Sequence, residues 1–183
     1  MMLRRDFLKA MSLATAIAPS VSVGQVFAHE VAVPSVLWLR RGGDEARVDY
    51  ATEQGYRYVT YLLRDVQARF VGTPDPRLLQ LLAWQQAWLA AYGYVMPFKV
   101  HSGCRTNSTN SREGGVQNSQ HLPDEAGVFR AVDFSTKEVS AEYMGRLAYL
   151  AQQGGVGFYN ADGFVHNDVG RVRTWRGRAG NRR

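Results

Sequence analysis

Val156-Gly157-Phe158-Tyr159, then Asn160-Ala161-Asp162-Gly163, then Phe164-Val165-His166-Asn167-Asp168-Val169 form the stretch on which the fold turns. Two short runs rich in β-formers flank four residues that include Asn, Asp and Gly, and this pattern predicts a β-hairpin. Side chains alternate along a strand, so His166 and Asp168 are expected on one face. A histidine on an apolar strand beside a carboxylate makes that face a candidate site.

Working back along the chain, Arg130 to Phe134 looks like a second buried strand, and it carries Asp133 among apolar neighbours. A buried aspartate without a partner is costly, so Asp133 needs a metal, an arginine or several hydrogen-bond donors. Before it, Gly103 to Asn118 is a long polar stretch containing Gly114-Gly115, followed by Ser119-Gln120-His121. Loops of that length inside a compact domain are usually functional or disordered. The chain has four histidines. Two imidazoles and a carboxylate from separate segments are the donor set of a catalytic zinc site. Such a site keeps a fourth position for water and lowers its pKa to about 7, which points to hydrolysis.

The remaining pattern supplies the scaffold. Val36 to Leu39 and Ala46 to Tyr50 flank Gly42-Gly43 as a further hairpin. Tyr58, Val59, Leu62, Leu63, Val66 and Phe70 recur at helical intervals and predict an amphipathic helix ended by Gly72. Asp75-Pro76 is an N-cap followed by proline at the first helical position, and Leu78, Leu81, Leu82, Leu89 and Tyr92 form the next stripe, stopped by Gly93. Trp84 and Trp88 on this helix could be a sugar-stacking platform, but helix-packing aromatics are the preferred interpretation. Phe98 to Ser102 is a short strand. Ser140 caps a third helix carrying Met144, Leu147, Ala148 and Ala151, which ends at Gly154-Gly155. Helices followed by an antiparallel sheet give an α+β domain. There is no internal repeat.

The N-terminus resembles an export signal. Arg4-Arg5 precede Phe7-Leu8-Lys9, a weakly apolar run Ala10 to Pro19 follows, and Val26-Phe27-Ala28 is a small-residue exit. The apolar run is shorter than the roughly 20 residues that span a bilayer, so cleavage after Ala28 rather than anchoring is expected. This divides the chain into a twin-arginine signal, 1–28, a catalytic-type domain, 29–176, and a basic tail, 177–183, with the periplasm as destination. Removing Arg4, Arg5, Lys9 and Asp6 leaves 19 basic and 15 acidic residues, and the formal charge falls from +6 to +4. Arg171, Arg173, Arg176, Arg178, Arg182 and Arg183 carry much of that excess and could favour an anionic polymer, a cell-wall glycan or nucleic acid. A frayed, solvated terminus is the preferred interpretation, and no nucleic-acid partner is expected. Cys104 is the sole cysteine, which excludes an intramolecular disulfide and leaves stability to the core. It is expected to be small buried filler.

Ser102-Gly103-Cys104-Arg105, Asn110, Ser119-Gln120-His121, Ala131-Val132-Asp133, Gly154-Gly155-Val156-Gly157-Phe158-Tyr159 and Phe164-Val165-His166-Asn167-Asp168-Val169-Gly170 occur in one order. Together they resemble the zinc D-alanyl-D-alanine carboxypeptidase and murein endopeptidase superfamily, over roughly residues 36 to 176. The chain is most similar to the twin-arginine-exported murein endopeptidase branch, whose members carry an arginine shortly before a closing tryptophan, here Arg171 or Arg173 and Trp175. The resemblance implies a small central antiparallel sheet packed by about three helices, shared in outline with the Hedgehog signalling domain. It implies one Zn2+ bound by His121, Asp133 and His166, and Arg105 holding or polarising the substrate, with a structural salt bridge as the other role open to that arginine. It also implies a zinc metallopeptidase acting on peptidoglycan stems or cross-links.

Two departures from the family pattern matter. Relatives usually place the aspartate seven residues after the first histidine, whereas here it is twelve, with Pro123-Asp124-Glu125 inside the extra stretch. The insertion either bulges outward, the preferred interpretation, or delivers Asp124 or Glu125 to the metal in place of Asp133. Some relatives carry an acidic general base three residues before the last histidine, and Gly163 stands there. Asp168, as base or as a partner orienting the ligand, is the expected replacement, with Asp162 next. His101 is expected to be structural. The alternative function is a catalytically inactive zinc- or peptidoglycan-binding module of the same fold.

Overall fold

The computed structural model describes residues 33–177, so the signal sequence, Arg178, Arg182 and Arg183 lie outside the described residues. Nine strands and four helices are described: β1 Val36–Arg41, β2 Asp44–Asp49, α1 Glu53–Leu62, β3 Thr73–Pro74, α2 Pro76–Ala91, β4 Phe98–Ser102, α3 Asn107–Arg112, β5 Val128–Phe129, β6 Ala131–Ser135, α4 Ala141–Ala151, β7 Gly155–Tyr159, β8 Phe164–Asp168 and β9 Arg173–Arg176. Seven strands form one sheet in the order β2-β1-β4-β6-β8-β7-β9, and β3 pairs with β5 in a separate ribbon. The domain is α+β, as expected, but the sheet is larger than the small antiparallel one predicted. Its β1–β4 and β7–β9 joints are parallel.

Alternation along the strands, broken once in β4, gives the sheet two different faces. Leu37, Leu39, Phe98, Val100, Val132, Phe134, Val156, Phe158 and Val165 point to one side and form the core with Val59, Leu62, Leu82, Leu89, Met144 and Leu147 of the helices. Phe98 and Phe134 stack at its centre, with ring centroids 4.5 Å apart. Trp84 is 8 % exposed and belongs to this core, in keeping with a packing role. The intervening residues, among them Lys99, His101, Asp133, Phe164, His166, Asp168 and Trp175, take the other face, which is where the site lies.

Both predicted hairpins form, in the register Tyr159↔Phe164 and Gly157↔His166 for the second. Helix α2 starts as expected, with the Asp75 carboxylate accepting the Arg77 N–H at 2.9 Å. The helix predicted to run to Gly72 instead ends at Leu62, and Val66 and Phe70 are exposed. Its continuation is pre-empted by tertiary donors. The Arg41 guanidinium binds the Leu62 and Arg64 carbonyls, and the Cys104 N–H takes the Leu63 carbonyl at 2.8 Å. The following turn closes on Asp65, whose carboxylate accepts the N–H of Ala68 at 3.0 Å and of Thr106 at 2.8 Å. This joins the end of α1 to the loop that leads into the site.

That loop is not irregular throughout, because Thr106 caps the short helix α3, and Asn110 Nδ2 donates to the Val116 carbonyl at 2.9 Å, folding the glycine pair back. Helix α4 begins at its expected cap Ser140 but ends on Gln152 in a left-handed conformation (φ 53°), ahead of the glycines. Two of the C-terminal arginines are part of the sheet rather than of a frayed tail. Arg173 and Arg176 belong to β9, which pairs with β7 from Gly155↔Arg173 to Phe158↔Arg176. Among the described residues no helix is long and apolar enough to cross a membrane.

Candidate metal centre

His121, Asp133 and His166 converge as expected. Antiparallel pairing of β6 and β8 sets Asp133 directly opposite His166, so their side chains leave the same face as neighbours. His121 arrives from the loop, which backbone bonds hold on both sides: the Arg105 N–H donates to the His121 carbonyl at 2.9 Å and the Arg130 N–H to the Gln120 carbonyl at 2.8 Å. One donor atom from each residue lies within 4.8 Å of the others, and all three residues are buried. Asp133 Oδ1 is 2.8 Å from His166 Nδ1 and 3.3 Å from His121 Nε2, and the two nitrogens are 3.1 Å apart.

Each of the three is also gripped from its far side. His121 Nδ1 is 2.6 Å from the Gly103 carbonyl, and His166 Nε2 is 3.1 Å from Asp168 Oδ2. Both partners are acceptors only, so the outer ring nitrogens carry the protons and, in neutral rings, the inner ones present lone pairs. Asp133 turns Oδ1 to the imidazoles while Oδ2 is held by the Arg105 guanidinium. Two lone pairs and a carboxylate oxygen facing one point repel one another unless a proton or a cation lies between them. Outer-edge partners that fix tautomer and orientation are characteristic of metal-ligating histidines. The separations are near the roughly 3.4 Å edge of a tetrahedron with bonds of about 2.1 Å, the shortest opening by about half an ångström.

The electrostatics follow from burial and contact. Burial alone would raise the Asp133 carboxyl, but the two imidazoles outweigh it and hold the group well below the usual carboxylate range. Burial lowers His121, more than Asp133 restores, so that ring is neutral. Burial would lower His166 as well, but hydrogen bonds to Asp133 and Asp168 raise it.

The centre opens into a cleft of about 240 Å³. Tyr159, stacked on Phe164 and hydrogen-bonded to Trp175, makes one aromatic wall, and Glu113, Asn118 and Gln120 are among the polar lining. Arg105 reaches the cleft while its Nε donates to Ser102 Oγ at 2.7 Å, so it combines the ion pair and the cleft position between which the sequence could not choose. His101, expected to be structural, lies exposed in the cleft wall, with Nε2 2.8 Å from Ser135 Oγ. Its place marks an irregularity in β4, where Val100 pairs Phe134 and Ser102 already pairs Asp133. Cys104 is 1 % exposed, and burial pushes its thiol up to about 11, as fits filler.

The other acidic candidates are spoken for. Asp124 accepts the N–H groups of Ala126 and Val128 at 3.0 Å each and pairs with Arg130 at 2.6 Å, and both it and Glu125 are exposed, so the insertion bulges outward. Asp162 is exposed in the hairpin turn, beyond the Tyr159↔Phe164 pair. Asp168 stands on the edge of the His166 ring opposite the cluster and is 0 % exposed. Its oxygens accept Gly155 N–H at 2.9 Å, Gly170 N–H at 2.9 Å and both terminal nitrogens of Arg173, at 3.1 and 2.6 Å. That geometry corrects the expectation of a proton carrier facing the cleft and leaves the other expected role, a partner orienting the ligand.

Arg173 and Trp175 were not anticipated as parts of the site. The signal was available in Gly155 and Gly157, which alternate on one face of β7. A Cβ at Gly155 would lie 2.4 Å from Arg173 Nη1, and one at Gly157 would lie 2.6 Å from the Trp175 indole. Trp175 rests against the His166 ring, centroids 5.0 Å apart, and its Nε1–H donates to Tyr159 Oη at 3.1 Å.

A profile of the family described as Peptidase M15 matches residues 57–168. Among curated proteins, the chain is 29 % identical over 156 residues to the probable peptidoglycan L,D-endopeptidase MepK of Haemophilus influenzae, an alignment covering 79 % of this chain and 80 % of that protein. It is 27 % identical over 143 residues to the peptidoglycan L,D-endopeptidase MepK of Escherichia coli K12, covering 73 % and 74 %. No solved structure matches.

Proposed function

The chain belongs to the peptidase M15 family, and from that premise we propose that it is a zinc-dependent peptidoglycan endopeptidase, acting on L,D-type linkages in the peptide cross-links or stems. The observation that carries this is the meeting of His121 Nε2, Asp133 Oδ1 and His166 Nδ1 at the floor of an open cleft. These three atoms would hold the ion. When bound, zinc supplies a water acidified to about pKa 7 and a Lewis acid for the scissile carbonyl.

The protein's own groups do the rest. Gly103, Asp168 and Arg105 orient the three ligands from behind, so little reorganisation accompanies binding. The Arg105 guanidinium has donors beyond those engaged by Ser102 and Asp133, and in the cleft these can bind a peptide carboxylate or a carbonyl oxygen gaining charge. Tyr159, Phe164 and Trp175 exclude water on one side and give an extended peptide a flat apolar wall. Export by the twin-arginine route to the periplasm, resting on Arg4-Arg5 and the Ala28 exit, belongs to the same proposal and brings the protein to the cell wall.

Digestion of purified muropeptides carrying L,D- or D,D-type cross-links tests it, using wild type and His166→Ala. The expected result is cleavage of the L,D-linked material, reduced to background by the substitution and by a chelator. Zinc binding without digestion of any muropeptide would overturn it in favour of a binding module, and cleavage that survives His166→Ala would overturn the site.

A further inference from the structure

Strand β9 lies at the edge of the sheet, yet it sets one side chain against a candidate ligand, His166, and another against that ligand's partner, Asp168. It lies parallel to β7, with Arg173 beside Gly155 and Trp175 beside Gly157. Both neighbours lack a Cβ, and that is what allows the two long side chains to lie flat across β7 and reach β8. Arg173 spans both oxygens of Asp168, and Trp175 packs on the ring of His166.

From this geometry, and resting on the assignment of His121, Asp133 and His166 to a metal ion, we infer that Arg173 is a positioning residue for the metal centre. It acts through Asp168 and does not touch the ion. Asp168 Oδ2 has two partners among the described residues, Arg173 Nη2 and His166 Nε2. A planar two-pronged donor fixes both the position and the rotation of a carboxylate, which a single point charge does not. With Oδ1 already tied to two backbone N–H groups, Arg173 determines where Oδ2 stands, and Oδ2 determines which edge of the His166 ring carries the proton. The Nδ1 lone pair is thereby aimed at Asp133 and His121.

The alternative task for an arginine at a cleft, capture of a substrate carboxylate, fits less well. The fork faces inward to Asp168, Nη1 also donates to the Arg171 carbonyl at 2.9 Å, and the guanidinium lies 5.0 Å over Trp175. Three of its five N–H donors, including both that face Asp168, are committed within the protein.

Zinc affinity, measured by competition with a chelating dye, and the visible spectrum of the cobalt-substituted protein test the inference without any peptidoglycan. Arg173→Ala is expected to weaken zinc binding about 10- to 100-fold and to alter the cobalt bands, with Arg173→Lys recovering part of the loss. Gly155→Ala keeps every charged group but places a methyl 2.4 Å from Arg173 Nη1 and 2.5 Å from Asp168 Oδ2, and it should behave like Arg173→Ala. This variant and Arg173→Lys carry the comparison if the alanine protein does not fold. Wild-type affinity within twofold and unchanged cobalt spectra in the folded variants would overturn the role of Arg173. A wild-type protein that binds neither metal would overturn the metal centre itself.

Discussion

At the scale of single residues, the site depends as much on side chains that are missing as on those present. Gly157 pairs with both His166 and Trp175 in the sheet, and the indole occupies the space a Cβ would take. Gly157→Ala should therefore cost about 1–3 kcal/mol, the usual range for overpacking a rigid contact, and shift the Trp175 environment. Denaturant unfolding gives the first quantity and tryptophan fluorescence reports the second. Unchanged stability would mean that Trp175 does not lie flat on β7. The three residues that cluster at the site stood out in the sequence by their local context: a histidine after a polar loop, an aspartate in an apolar strand, a histidine in a hairpin. Arg173 and Trp175 were not, since nothing near them in the chain says which strand they cover.

Among the elements, the hairpins, the caps of α2 and α4 and strand β4 follow from neighbouring residues, and they form where the sequence says. Helix α1 is shorter than its periodicity because Arg41, 21 residues before Leu62, and Cys104, distant in the other direction, compete for its last carbonyls. Strand β9 was hidden for a similar reason, since parallel pairing leaves no turn to recognise. On its helix-side face Arg176 binds Glu142 of α4 at 2.8 and 3.1 Å, and Asn160 and Arg146 donate to the same carboxylate. These contacts, Arg176 first, pull Glu142 from 4.5 down to about 2. A depressed carboxyl adds stability that is complete above its unfolded value and disappears as pH falls through the folded one. The wild type should thus melt above Glu142→Gln by a constant margin at pH 6–8, and the margin should shrink between about pH 4.5 and 2. Thermal melts across that window check this. A margin that grows on acidification would contradict the pairing of β9 with α4.

For the whole molecule, one sheet with unlike faces explains how a buried core and an open site coexist in a short chain. The core face is apolar and closed by helices, and the opposite face carries the His-Asp-His cluster, the aromatic side chains and arginines in strand-by-strand register. The fold class was legible because helices and alternating strands have different periods. The extent of the sheet was not, because strand order and the two parallel joints are set by contacts between distant segments. The account's central claim is that this face holds a metal ion through His121, Asp133 and His166, and it is tested most directly by the zinc content of protein purified without an affinity tag, wild type beside Asp133→Asn, which preserves shape. About one zinc per chain in the wild type and almost none in the variant is the expected outcome. Equal zinc in both proteins, or none in either, would contradict it.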